Sequence, residues 1–133
     1  MVSRATLEPY LRGALRIVAG FMFSLHGFQK LFGAFGGMGG AGGTATFISL
    51  PWVAGFLEMV GGLLILVGLF TVPVAFVLSG QMAVGYFMAH FPQGFLPIVN
   101  RGELAALYCF VFLWLFSAGP GPLSLDAVMR KKP

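Results

Sequence analysis

Apolar residues dominate four stretches of the chain, over 11–32, 52–70, 73–90 and 101–119. Each approaches the roughly 20 residues that an α-helix needs to cross a bilayer's hydrocarbon core. The pattern predicts an all-α protein, a four-transmembrane-helix bundle. Helix breakers stand between the stretches. Residues 33–43, with a glycine run from Gly36 to Gly43, are too glycine-rich to hold a helix. Residues 91–103 contain Pro92, Gly94, Pro97 and Gly102 and read as a loop. Thr71, Val72 and Pro73 predict a tight turn, with the proline opening the third helix. Gly119-Pro120-Gly121-Pro122 ends the fourth, and 124–132 reads as a short amphipathic tail. The whole of 1–133 reads as a single membrane domain.

Composition strengthens this reading. Of 133 residues, 58% are hydrophobic and 9% charged, and the mean hydropathy is +0.91. Soluble domains carry about a quarter charged residues, and a soluble fold this small leaves roughly a third of its surface in water. Lipid is the expected solvent. A large extramembrane domain and a nucleotide-binding α/β domain are excluded. The net charge of +4 predicts no nucleic-acid partner, because basic residues in such a chain set its orientation. Four spans put both termini on one side, with Arg4, Arg12, Arg16, Arg130, Lys131 and Lys132; the other side has Lys30 and Arg101. The expectation is that both termini are cytoplasmic. Arg4, Arg12 and Arg16 ahead of an apolar run also fit a signal peptide. The run's length, its polar residues and the three runs that follow argue against cleavage. Cys109 is the single cysteine, so no intrachain disulfide forms and an inert thiol is expected.

The polar residues inside the spans are more informative, since they usually face the bundle interior and mark sites. His26 precedes the outer end of the first span by six residues, and Glu58 follows the outer start of the second by six. At 1.5 Å per residue both lie roughly 9 Å deep. His90 closes span three with Tyr86 one turn beneath it, Gln81 lies deeper, and Asn100, Arg101 and Glu103 open span four. The polar groups therefore gather in the outer half. The inner half holds Arg16, which is expected to snorkel. Glu58 has Ala54, Gly55, Gly61 and Gly62 on its face, which turns it toward a closely packed neighbour. Lys30 or His26, i and i+4 on span one, are its candidate partners. Two readings stay open: a proton-handling or ligand-orienting carboxylate, or an ion pair that registers two helices. Neither haem nor a metal is expected, because no paired-ligand spacing accompanies His26 and His90. Ala75, Ser79 and Ala83 form a small-residue stripe for close packing on span three.

Leu25-His26-Gly27-Phe28-Gln29-Lys30-Leu31-Phe32-Gly33 and Gly55-Phe56-Leu57-Glu58-Met59-Val60-Gly61-Gly62 resemble motifs of the DoxX family. So do Tyr86-Phe87-Met88-Ala89-His90, Asn100-Arg101-Gly102-Glu103-Leu104 and Tyr108-Cys109-Phe110, in the same order. The resemblance implies a four-helix protein of the bacterial inner membrane tied to redox biology. Its relatives include a subunit of a thiosulfate:quinone oxidoreductase, proteins linked to quinone or catechol stress, and a member that assembles with exported redox and sulfur-metabolism enzymes. The candidate ligand-binding residues are His26, Gln29, Lys30, Glu58, Gln81, Tyr86, His90, Asn100, Arg101 and Glu103, with quinone as the candidate cofactor. The favoured function is a quinone-interacting subunit, potentially of a quinone-linked oxidoreductase. The alternatives are a scaffold that docks exported enzymes, and a small-molecule or lipid carrier. Homo-oligomers are compatible with all three.

Overall fold

The computed structural model describes residues 1–131, and within them the fold is all-helical. The order is α1 (Arg4–Phe32), α2 (Leu50–Val67), α3 (Thr71–Gly85), a one-turn α4 (Pro97–Asn100), α5 (Glu103–Ala118) and α6 (Leu125–Arg130). Lys132, counted among the basic residues and in the tail, lies outside the described residues.

Local chemistry sets the boundaries. Ser3 caps α1 by accepting from the Thr6 amide, so the helix starts seven residues before the apolar stretch does. Ser49 caps α2 the same way, with Pro51 in its first turn, which moves the start of that helix from 52 to 50. The turn predicted at 71–73 lies instead at Gly68, Leu69 and Phe70, and Thr71 already opens α3. Phe70 sits at φ 51°, held by Asp126 of α6. One Asp126 oxygen accepts from the Phe70 amide and the other from the Thr71 amide, both at 2.9 Å.

The long helices form two tight pairs, α1 with α2 and α3 with α5. Glycine makes the first pair close. A Cβ on Gly27 would stand 2.5 Å from the Gly55 carbonyl oxygen, one on Gly20 2.8 Å from that of Gly62, and one on Gly62 2.6 Å from the Ser24 nitrogen. Gly20 and Gly27 thus meet Gly62 and Gly55 in antiparallel order, backbone against backbone. In the second pair the small stripe works as expected: Ala75 and Ser79 are buried, and Ser79 Oγ donates to the Cys109 carbonyl at 2.8 Å. Phe23, Ile65, Leu78, Phe112 and Leu115 fill the space between the pairs.

At the end where both termini lie, Arg16 behaves differently from its sequence expectation. It is fully buried rather than snorkelling. Its guanidinium donates to the carbonyls of Ile65 (2.7 Å), Leu66 (2.6 Å), Pro120 (2.9 Å) and Leu123. The α2 carbonyls form that helix's negative end, which favours a cation. Arg12 similarly reaches the Ala118 carbonyl.

The outer surface is apolar, with Phe21, Phe56, Phe76, Leu107 and Phe110 exposed, which suits lipid rather than water. Among the described residues, two helices are long and apolar enough to cross a membrane, Leu50–Val67 and Thr71–Gln93, the latter being α3 with its extension. Helix α5 is apolar but shorter. Helix α1 is the longest at 29 residues and is diluted by Arg16, His26, Gln29 and Lys30.

Candidate functional site

At the end of the bundle away from the termini, the last turns of α1 carry His26 and Lys30 alongside the first half of α2. Lys30 Nζ donates to Glu58 Oε1 at 2.6 Å. Gly55 makes the approach possible, since a Cβ there would lie 2.9 Å from the Lys30 Cβ. From α3, Gln81 Nε2 lies 3.5 Å from the same carboxylate oxygen and 3.3 Å from the Ala54 carbonyl. Both neighbours of this nitrogen are acceptors, which fixes the amide so that its own oxygen faces away from them. From α5, the Tyr108 ring packs against Phe23 (centroids 5.0 Å apart) and meets His26 edge-on at 6.5 Å.

These residues line a cavity of about 530 Å³, shared by α1, α2, α3 and α5. Its walls are largely apolar, including Phe23, Leu50, Met82, Met88 and Leu104. Three buried polar atoms of the lining have no hydrogen-bond partner: Glu58 Oε2, Gln81 Oε1 and Tyr108 Oη. Glu58 is 3% exposed and Tyr108 6%. Buried polar groups are nearly always satisfied, so three unpaired atoms on residues of one lining set this end of the bundle apart.

The end of α3 shapes one wall. Beyond Gly85 the helix widens into a π turn over Tyr86–His90, a local form frequent at functional sites. Met88, Ala89 and His90 reach the cavity from it. The glycine-rich segment between α1 and α2 is ordered as a one-residue bridge pairing Met38 with Gly43. It is tied to α1 by the Ala45 amide donating to the Lys30 carbonyl at 2.7 Å, and Met38 joins the cavity lining.

Of the ten candidate residues, His26, Lys30, Glu58, Gln81, His90 and Arg101 line this cavity, whereas Gln29, Tyr86, Asn100 and Glu103 do not. Gln29 donates to the Phe35 carbonyl at 3.3 Å. Asn100 is fully buried and organises the loop before α5. It donates to Tyr86 Oη (3.1 Å) and the Gly94 carbonyl (2.9 Å) and accepts from the Gly102 amide (2.7 Å). Its carbonyl lies 3.0 Å from His90 Nδ1, so the loop sets the ring of a cavity residue. Glu103 is exposed, in a shallow groove with Ile98, Arg101 and Leu107. Sequence reasoning does not assign Tyr108 or Met38 to the site, though both line the cavity. Tyr108 stands in an apolar helix with only its hydroxyl to distinguish it, and Met38 depends on how the glycine segment folds back.

The DoxX family model matches residues 12–91. That span runs from α1 through the π turn and includes His26, Lys30, Glu58, Gln81 and His90. The chain belongs to the DoxX family. It is also similar to an uncharacterized protein of Haemophilus influenzae, at 43% identity over 128 residues that cover 94% of this chain and 95% of that one. No solved structure matches it. Like its family, this DoxX protein is a membrane protein, and its lipid-suited surface and apolar α2 and α3 agree with that.

Proposed function

We propose that this DoxX protein crosses the bacterial inner membrane four times with both termini in the cytoplasm, and that its cavity binds a quinone-class ring in the outer half of the bilayer. In this reading it is a subunit of redox metabolism that holds and orients the ring, while a partner or the ring's own couple supplies the electrons. The observation that carries the proposal is the convergence of His26, Lys30, Glu58, Gln81, His90, Arg101 and Tyr108 on one cavity whose walls are otherwise largely apolar, with unpartnered polar atoms on Glu58, Gln81 and Tyr108. Small-molecule sites have this composition, with apolar walls, a few convergent polar groups and volumes of roughly 300–1,000 Å³.

The test uses protein purified in mild detergent. Mass spectrometry should find a quinone-class ring near one per chain. Glu58→Ala should reduce its retention at least tenfold, and exposed Glu103→Ala less than twofold. Absence of the ring from wild type, together with no binding on titration, overturns the proposal.

Orientation has its own check. Arg4, Arg130 and Lys131 are exposed at the end that carries the termini, which supports a cytoplasmic placement. Reporter fusions at both termini should read cytoplasmic; external readings at both overturn the orientation, and readings on opposite sides overturn the four-span topology.

A further inference from the structure

We infer that the cavity has a side exit into the bilayer between α2 and α3, through which the hydrocarbon tail of its occupant leaves. The ligand is then a tailed amphiphile drawn from lipid, not a bare ring drawn from water; this rests on the quinone-class reading above and adds the path and the tail. The two helices touch at depth. A Cβ on Gly61 would stand 2.7 Å from the Leu78 side chain, and Gln81 Nε2 lies 3.3 Å from the Ala54 carbonyl. One turn further out they part. A Cβ on Gly85 would meet nothing within 4 Å, although Gly85 lines the cavity. Leu50, Val84 and Met88 line it too, while being 65%, 56% and 58% exposed. Side chains that belong both to a cavity wall and to the outer surface mark where the two meet.

The chemistry of this opening is one-sided. Leu50, Pro51, Ala54, Val84, Gly85 and Met88 form its rim, and none has a polar side chain. Its backbone is largely satisfied as well. The first turn of a helix usually offers unbonded N–H groups, but Pro51 has none to offer. The Trp52 amide donates to Ser49 Oγ at 3.3 Å and the Val53 amide to the Ser49 carbonyl at 3.0 Å. The rim also joins the two helices long and apolar enough to cross a membrane, so lipid is what stands outside it. The polar side chains of the lining keep off this rim: Glu58 and Gln81 lie a turn deeper, His26 and Lys30 on α1, Arg101 ahead of α5, and His90 at the end of the π turn. A ring with polar substituents suits that second set, and a hydrocarbon chain suits the first. A tail leaving between α2 and α3 stays out of water along its whole length, so the site need not enclose it.

The experiment uses the full chain in phosphatidylcholine nanodiscs and two probes, a decyl-substituted benzoquinone and the same ring with a methyl group in place of the decyl chain. Gly85→Trp puts a bulky side chain into the open space beside residue 85. It should weaken the decyl probe at least tenfold and the methyl probe less than twofold. Gly80 is the matched control, since a Cβ there also meets nothing within 4 Å but the residue is not part of the cavity wall. Gly80→Trp should leave both probes within twofold of wild type. Each comparison follows one probe between variants, so its partition into lipid cancels. Should Gly85→Trp fail to fold, wild type decides the matter. A decyl probe with a diazirine near the ring end of its tail should, on irradiation, label peptides holding residues 50–54 and 84–88 at least threefold more than those holding Met38 and Arg101. Equal weakening of both probes by Gly85→Trp, no weakening of the decyl probe, or labelling centred on Met38 and Arg101 overturns the side exit while leaving the quinone-class reading intact. Binding of neither probe to wild type overturns both.

Discussion

Arg16→Met is expected to lower the stability of the folded protein by about 3–5 kcal/mol, the scale set by several buried carbonyls losing one charged donor. The guanidinium is fully buried and donates to four carbonyls, two at the end of α2 and two in the segment before α6, of which that of Ile65 also accepts from the Gly68 amide at 3.1 Å. Methionine fills much of the volume and satisfies none of them. Each orphaned carbonyl keeps its desolvation cost of about 1–3 kcal/mol, and the lost cation no longer opposes the negative end of α2. Arg16→Lys should fall between, because an ammonium has the charge without the planar fork that reaches separate strands of backbone. Thermal or denaturant unfolding in one detergent measures both variants. A loss under about 1 kcal/mol for Arg16→Met would show that water satisfies those carbonyls, contrary to the buried network.

Gly27→Ala is the second large effect, though the change is one methyl group. Its Cβ would stand 2.5 Å from the Gly55 carbonyl oxygen and nearer still to the Met59 nitrogen. Both obstacles are backbone, which does not rotate aside as a side chain does. Helices α1 and α2 must separate, at a cost of about 1–3 kcal/mol or more. Separation also pulls Lys30 from Glu58, so ligand retention should fall with stability. Gly80 is the matched control: it lies within α3, and a Cβ there meets nothing within 4 Å. Gly80→Ala should be neutral or raise stability by up to about 1 kcal/mol, as a helical glycine replaced by alanine does. Comparable melting points for Gly27→Ala and wild type would refute the backbone contact.

These residues also show what the sequence disclosed. The helices were legible because apolar runs and glycine breaks act locally. Glu58 was legible because Ala54, Gly55, Gly61 and Gly62 mark a close-packed face, and Lys30, at the matching depth, proved to be its partner. Helix starts at Ser3 and Ser49 had readable capping signals that the apolar pattern alone passes over. Other features were hidden because they depend on distant backbone. Nothing near Arg16 in the chain announces the carbonyls of Pro120 and Leu123. Asn100 resembles a ligand residue until the loop folds round it and uses each of its polar atoms. Asp126 sits in a tail that reads only as amphipathic, yet its carboxylate accepts from the Phe70 and Thr71 amides at the turn into α3.

The carbonyl cradle of Arg16 also dictates an order of birth. Residue 16 emerges from the ribosome long before residues 65 and 66, and longer still before 120 and 123, whose backbone completes its hydrogen bonds. Until then the guanidinium lacks those carbonyls and must keep to water or headgroups at the interface, so α1 reaches its final depth only after its successors are made. Residues 120–123 act as the key that lets the first helix settle, and a chain truncated before Pro120 should reach the membrane yet never lock.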